Sequence, residues 1–183
     1  LSLTETDEAT LTVGSDAAGY ELNVTAVDED SDGEVVLQLN TFLAENDSSN
    51  GQISAAGDDT TNSVSVDTNI GTGPGHIVAS GTYDLAVASG GQSVVNDNVD
   101  PDDLGSVTIQ PRSTDAIQTW TAPAGTATSD VLDSVTAENS IAAGDLVVTQ
   151  ITASGLEGAF ASQTGSNTNA TQAFQNLASG SQG

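Results

Sequence analysis

The strongest constraint on the fold is an alternation of apolar and polar residues with a period of two, repeated over the first 112 residues. Its clearest run alternates Tyr20, Leu22, Val24 and Ala26 with Glu21, Asn23 and Thr25. Such alternation is typical of strands that turn one face toward a core. Similar runs lie at residues 10–13, 35–40, 64–67, 83–87 and 107–110. About seven short strands separated by turn-rich segments predict an antiparallel, immunoglobulin-like β-sandwich over residues 1–112.

The pattern changes after Arg112. Residues 116–122 and 145–153 read as strands, and residues 130–138 and 170–178 as helices. The order strand, helix, strand, helix predicts a small α/β unit over residues 113–183, and a mainly β protein overall. Because residues 146–148 are apolar on both faces, we expect the strand at 145–153 to be central and covered on both sides.

Charge sets the conditions under which the chain can be compact. One Arg and no Lys stand against 26 acids, giving a net charge of −25. At about 1 M salt the Debye length falls to roughly 3 Å, so the repulsion between these carboxylates is screened. The composition therefore resembles that of proteins from salt-loving organisms. It argues against nucleic acid and anionic membranes as partners, since few groups can neutralise phosphate.

Other absences bound the class further. The chain lacks Cys, so disulfides and thiolate metal sites are excluded. No apolar run reaches the roughly 18 residues of a membrane span, so we expect no direct membrane insertion by this segment. The chain starts at Leu1 and contains no Met, which predicts a processed product or a piece of a longer protein.

Several ordered segments in the second half resemble a known family. They are Gly81-Thr82-Tyr83-Asp84-Leu85, residues 107–114, Trp120-Thr121-Ala122-Pro123-Ala124, and residues 144–158. Together they look like a domain of haloarchaeal cell-surface and S-layer-type glycoproteins, with the resemblance running from Gly81 to Leu177. It implies a large secreted protein with a surface-anchoring segment, and it carries over no catalytic residue. The first 80 residues add only composition to it.

Three Asn-x-Ser/Thr sequons are candidate glycosylation sites, at Asn23, Asn46 and Asn169. The alternation around Asn23 places it opposite the core, where a glycan fits. Asn46 lies in a predicted loop. Asn169 directly precedes an amphipathic helix, and we expect it to act mainly as the N-cap of that helix.

One acidic run is a candidate site for a structural Ca²⁺ or Mg²⁺. Asp28, Asp30, Asp32 and Glu34 place carboxylates at alternate positions around Gly33. Oxygen ligands wrap a hard cation in this way, although position twelve is Leu39 where an EF-hand has Glu. An ordinary acidic hairpin turn is the simpler interpretation. Asp97, Asp100, Asp102 and Asp103 form a second cluster, which we interpret as solvated acids.

Three residue types occur once each in the chain: His, Arg and Trp. His76 is the one imidazole, and we interpret it as a turn residue without catalytic role, since no nucleophile is indicated beside it. Arg112 is expected to pair with a carboxylate at the junction of the two halves. Trp120 is expected to pack in a core or interface rather than stack on a sugar. We therefore predict no enzyme and no cofactor beyond a structural cation.

The predicted function is a glycosylated S-layer-type building block of a halophile's cell envelope, extracellular and associating in high salt. Its partners would be copies of itself or sister domains, with divalent cations bridging acidic faces. One alternative is an adhesion or filament subunit in which residues 1–13 are exchanged between copies. Another is a non-catalytic binding module of a secreted hydrolase. No side chain after Glu157 is ionisable, which fits either a face toward another domain or a polar linker.

Overall fold

The computed structural model describes residues 1–44, 51–68, 77–95, 97–138, 140–163 and 169–179. It is mainly β with antiparallel sheets, as predicted. The strands are β1 (Glu8–Ser15), β2 (Tyr20–Val27), β3 (Leu37–Leu39), β4 (Ile53–Ala55), β5 (Thr60–Thr68), β6 (Gly81–Ser89), β7 (Asp103–Ile109), β8 (Ser113–Ala122), β9 (Thr136–Ala137) and β10 (Leu146–Ser154). The helices are α1 (Val131–Ser134), α2 (Glu157–Gln163) and α3 (Ala170–Ala178).

The chain divides into two compact units. Unit 1 contains residues 1–111 and 158–183, and unit 2 contains residues 112–157. The sequence predicted domains at 1–112 and 113–183, whereas in this division α3 and all of α2 after Glu157 belong to unit 1. One contact that holds them there is a hydrogen bond of 3.0 Å from Asn40 Nδ2 to the carbonyl oxygen of Gly158, at the start of the helical segment.

Unit 1 is built on a five-stranded antiparallel sheet with the order β5, β2, β1, β6, β7. The period-two alternation turns one face of β1, β2, β5 and β6 toward a shared core, which includes Val13, Leu22, Val24 and Tyr83. β7 reaches this core only through Ile109. The short pair β3 and β4 contributes Leu37, Leu39 and Ile53 to the same core. The two sheets enclose it as a sandwich with unequal layers.

The strand β4 was not expected. It follows Asn46 in a turn-rich segment for which no strand was predicted, and it pairs with β3 from Leu37 opposite Ala55 to Leu39 opposite Ile53. A three-residue strand is too short to show a period, and Ile53 is its single large apolar residue.

Unit 2 contains a three-stranded antiparallel sheet with the order β10, β8, β9. The two long strands pair from Leu146 opposite Ala122 to Ser154 opposite Ser113. β10 is therefore an edge strand, and the prediction of a central strand covered on both faces is wrong. Val147 remains 56% exposed and Ile151 51% exposed.

The predicted helix at 130–138 is much shorter than expected. α1 ends at Ser134, Val135 is extended, and β9 pairs Thr136 with Thr121 and Ala137 with Trp120. The β-branched Val135 and Thr136 favour a strand over a helix here. The second predicted helix is present as α3. Asn169 caps it, because its Oδ1 accepts a hydrogen bond of 2.9 Å from the Gln172 backbone N–H.

Candidate cation site

The candidate site is built on the acidic turn that follows β2. Asp28 is only 5% exposed, and its two carboxylate oxygens accept separate backbone hydrogen bonds. Oδ1 accepts from the Ser31 N–H at 2.7 Å, and Oδ2 accepts from the Gly33 N–H at 2.8 Å. Gly33 has a φ of +81°, a conformation that glycine adopts without strain. The turn is therefore folded around the Asp28 carboxylate.

A third carboxylate reaches this turn from a distant part of the chain. Val27 at the end of β2 pairs with Thr60 at the start of β5, and this register brings the preceding Asp59 next to the turn. Its Oδ1 accepts a hydrogen bond of 3.2 Å from the Glu29 N–H. Oxygen atoms of Asp28, Asp30 and Asp59 all lie within 4.8 Å of one another. Three carboxylates at this separation can supply three of the roughly six to eight oxygen ligands that Ca²⁺ takes, or about half of the octahedral set of Mg²⁺.

The structure thus gathers two of the four ligands that the sequence indicated. Asp28 and Asp30 lie in the cluster, whereas Asp32 Oδ1 accepts a hydrogen bond of 2.8 Å from the Glu34 backbone N–H. Glu34 is exposed on the segment that bridges to Ser2. Sequence reasoning missed Asp59 because its position depends on the pairing of β2 with β5. The one sequence signal for Asp59 was that this acid directly precedes the strand β5.

The electrostatics of the cluster favour a cation. The Asp32 backbone N–H lowers the pKa of Asp30, but desolvation and the charges of Asp32, Asp59 and Asp28 outweigh it, so the pKa is raised. The raised pKa reports that the ionised form is repelled by its neighbours. A bound divalent cation would remove that repulsion and complete the coordination that the carboxylates begin.

The second acidic group behaves differently. Within the described residues, Asp97, Asp100, Asp102 and Asp103 form no carboxylate cluster of the kind seen at Asp28. Asp102 Oδ2 instead accepts two hydrogen bonds from Ser89, one from Oγ at 2.6 Å and one from the backbone N–H at 2.7 Å. These bonds lower the pKa of Asp102 and tie β7 to the end of β6.

Asn23 lies on the face of β2 opposite the core, as the alternation predicts, but it is only 6% exposed. Its Oδ1 accepts hydrogen bonds of 2.6 Å from both Thr12 Oγ1 and Ser93 Oγ, and its Nδ2 donates to Glu21 Oε1 at 2.9 Å. The segment after β6, which carries Ser93, lies over this polar face. The amide nitrogen of Asn23 is therefore buried in a hydrogen-bond network, whereas the alternation indicated a side chain open to the surface.

The other singled-out residues have varied surroundings. Asn169 is exposed, while Asn46 and His76 lie outside the described residues. Arg112 is exposed, and its aliphatic carbons pack against Gly155, where an added Cβ would come within 2.5 Å of Arg112 Cγ. Trp120 is half-buried, and its Nε1 donates to Gln150 Oε1 at 3.1 Å.

Comparisons with known proteins agree on one relationship. The chain is 39% identical over 168 residues to a cell surface glycoprotein of Haloferax gibbonsii, covering 87% of the chain and 18% of that protein. It is 30% identical over 182 residues to cell surface glycoprotein 1 of Haloarcula hispanica, covering 92% of the chain and 20% of the relative. The chain is a domain related to haloarchaeal cell surface glycoproteins.

This relationship confirms the resemblance and places the domain outside the cell, at the cell surface. The chain spans about a fifth of the length of these relatives. Residues 1–90 also match a family described as a domain of unknown function (DUF7827). The relationship therefore includes the first 80 residues, where the sequence analysis recognised only composition. No solved structure matches the chain.

The names of the relatives describe cell surface glycoproteins and mention no catalytic activity. None of the helices in the described part of this domain has the length and apolar character required to cross a bilayer.

Proposed function

We propose that this domain is a structural module of a halophile's cell envelope, an S-layer-type building block that associates with other modules in high salt. The observation that carries the proposal is the similarity to cell surface glycoproteins along 84–92% of the chain. A function in assembly also fits the net charge of −25, because two such modules can approach each other only when salt screens their repulsion.

The Asp28, Asp30 and Asp59 cluster supports a divalent cation as part of this function. The cation would join the turn after β2 to the residue that precedes β5, which lies at an edge of the unit 1 sheet. Binding to the folded state alone stabilises it by mass action. The cation would therefore reinforce the module in the environment where it assembles.

Glycosylation is a further part of the proposal, since the relatives are named glycoproteins. Among the sequons, the exposed Asn169 can receive a glycan while its Oδ1 continues to cap α3. Asn23 would have to leave its hydrogen-bond network first.

Calcium titration calorimetry in molar NaCl tests the cation site. We expect Asp59→Asn to weaken Ca²⁺ affinity about tenfold or more, because it removes one of three charged ligands. Asp32→Asn is the matched control. It lies in the same turn, keeps an Oδ1 acceptor for the Glu34 N–H, and removes a charge that lies outside the cluster, so it is expected to weaken affinity much less than Asp59→Asn.

Sedimentation velocity with electron microscopy, across molar salt with Ca²⁺, Mg²⁺ or a chelator, tests the assembly. Ordered sheets or larger species are expected to form with the divalent cation. A module that stays monomeric at every salt and cation concentration would contradict self-association.

In the calorimetry, an equal loss of Ca²⁺ affinity in Asp59→Asn and Asp32→Asn would show that the cation is bound at a place other than the Asp28, Asp30 and Asp59 cluster.

A further inference from the structure

The free edge of the unit 2 sheet is unusual for so acidic a chain. β10 presents nine residues, Leu146–Ser154, at the edge of the order β10, β8, β9. Residues 146–156 contain no ionisable side chain. Val147 and Ile151 are more than half exposed on one face of this strand. A long, uncharged and apolar edge strand is a template for pairing with another strand, since its outward N–H and C=O groups lack sheet partners.

The edges of the unit 1 sheet are protected by comparison. β5 carries Asp67 and follows Asp58 and Asp59, and its pairing with β2 contains an irregularity at Thr25. β7 starts at Asp103 and directly follows Asp102. Acids and bulges of this kind discourage pairing between edges. The pairing of β10 with β8 also shifts register, between Thr152 and Ala153, but the residue left unpaired there, Asp115, lies on β8. Within the described strands, β10 is the long edge strand that carries no acid.

We propose that β10 pairs in antiparallel register with β10 of a second copy, joining two three-stranded sheets into one. The inference rests on the proposed association in high salt and names the surface through which two copies meet. A pairing centred on Gln150 places Leu146 opposite Ser154 and uses all nine residues of each strand. The arrangement has twofold symmetry, in which the same patch of both copies forms a closed dimer.

Charge argues for a copy of this chain as the partner. In the antiparallel register Asp145, which precedes β10, lies opposite Gly155 of the second copy, and the two Asp145 residues stay at opposite ends. Arg112 lies beside Gly155, since the pairing of Ser113 with Ser154 places the preceding residue there. With no side chain on Gly155, the exposed Arg112 can reach over it toward Asp145 of the second copy.

A parallel pairing would lose this arrangement. It would place the two Asp145 carboxylates side by side and leave each Arg112 far from them. Like charges directly opposite each other destabilise a strand pair, whereas opposite charges stabilise it. Arg112, the one Arg of the chain, thus lies where antiparallel pairing would place Asp145 of the second copy.

Cysteine cross-linking tests the register on a chain that contains no natural Cys. Gln150→Cys places two sulfur atoms next to each other at the dimer axis. We expect it to form a disulfide-linked dimer under mild oxidation in molar salt. The matched control is Gln118→Cys, an exposed residue opposite Gln150 on the same face of the inner strand β8. It is expected to remain monomeric under the same oxidation.

Charge exchange provides a second measurement. Arg112→Asp and Asp145→Arg are each expected to weaken dimerisation about three- to tenfold by sedimentation equilibrium, and the double variant is expected to recover most of the loss. Circular dichroism confirms that each variant is folded. Equal cross-linking at positions 150 and 118, or no recovery in the double variant, would overturn the β10 pairing.

The two proposals fail differently. Wild-type association in molar salt without cross-linking at position 150 would overturn the β10 dimer and leave the envelope function intact. A strictly monomeric wild-type protein up to millimolar concentration would overturn both self-association and the β10 dimer.

Discussion

The sheets of units 1 and 2 use the same kind of strand in opposite ways. β2 alternates apolar and polar residues from Tyr20 to Ala26, whereas β10 starts with three apolar residues and alternates only from Ile151 onward. Seven of the eight residues of β2 are buried, including the polar Glu21, Asn23 and Thr25. No residue of β10 is fully buried, and Ile151 is half exposed. Alternation therefore reveals which residues share a face, while neighbouring elements decide whether that face is covered.

The difference also divides stability from interaction. In unit 1, Tyr20 and Tyr83 pack edge to face at 6.2 Å within the core, and Tyr20 donates to Gln52 Oε1 at 3.0 Å. Burial raises the pKa of Tyr20, so this hydroxyl stays protonated as a donor. In unit 2, the large apolar residues of β10 remain available to a partner. The sheet of unit 1 therefore contributes mainly a buried core, whereas the sheet of unit 2 leaves apolar residues of β10 exposed to solvent.

The largest expected effect comes from matched truncations in the two sheets. Leu22→Ala in β2 removes a side chain with 0% exposure and should lower the free energy of unfolding by about 2–5 kcal/mol. Ile151→Ala in β10 should lower it by about 1 kcal/mol or less. Urea unfolding in molar salt measures both. Equal losses would mean that β10 is covered as completely as β2.

Polar substitutions give an intermediate effect. Asn23→Ala leaves the buried Thr12 and Glu21 side chains without the hydrogen-bond partner they share, and it should lower the free energy of unfolding by about 1–3 kcal/mol. Gln150→Ala is the matched change in unit 2, because this exposed amide has its own bond from Trp120 Nε1. Water can replace that partner, so we expect little change in thermal unfolding. A large fall in the thermal unfolding temperature of Gln150→Ala would contradict the exposure of the Gln150 side chain.

The smallest effect is a pH dependence at the β7 edge of unit 1. The hydroxyl and backbone N–H of Ser89 lower the pKa of Asp102 below its ordinary value of 3.8. Its contribution to stability is therefore present above that value and is lost as the pH falls through the lower, folded-state pKa. Asp102→Asn should lower the melting temperature slightly near neutral pH, with the difference fading in acid.

Asp100→Asn, an exposed neighbour, is the control for this measurement. If the melting temperature of Asp102→Asn stays equally far below that of the wild type at pH values under the pKa of the Asp102 carboxyl, the charge of this carboxylate is not the cause of the difference. A similar pH dependence in the control would assign the effect to net charge instead of to the Ser89 hydrogen bonds.

Part of the candidate site could be predicted from local sequence. Asp28 and Asp30 flank a turn that Gly33 makes recognisable, and Asn169 stands where an N-cap belongs. Asp59 could not be found, because it joins the turn only through the register of β2 and β5. The burial of Asn23 could not be found either, since Ser93 reaches it from 70 residues away along the chain.

The sequence by itself determined most of the unit 1 strands and their inward faces, the two long strands of unit 2, the α3 cap and the kinship with haloarchaeal surface proteins. These features depend on the period of side chains, on local hydrogen bonds and on composition, all of which are local or additive. Only the tertiary structure decided that β10 is an edge, that Asn23 is covered and that Asp59 completes the acidic cluster. Each of these depends on contacts between residues far apart in the chain, and a local pattern carries no record of which distant residue supplies the contact.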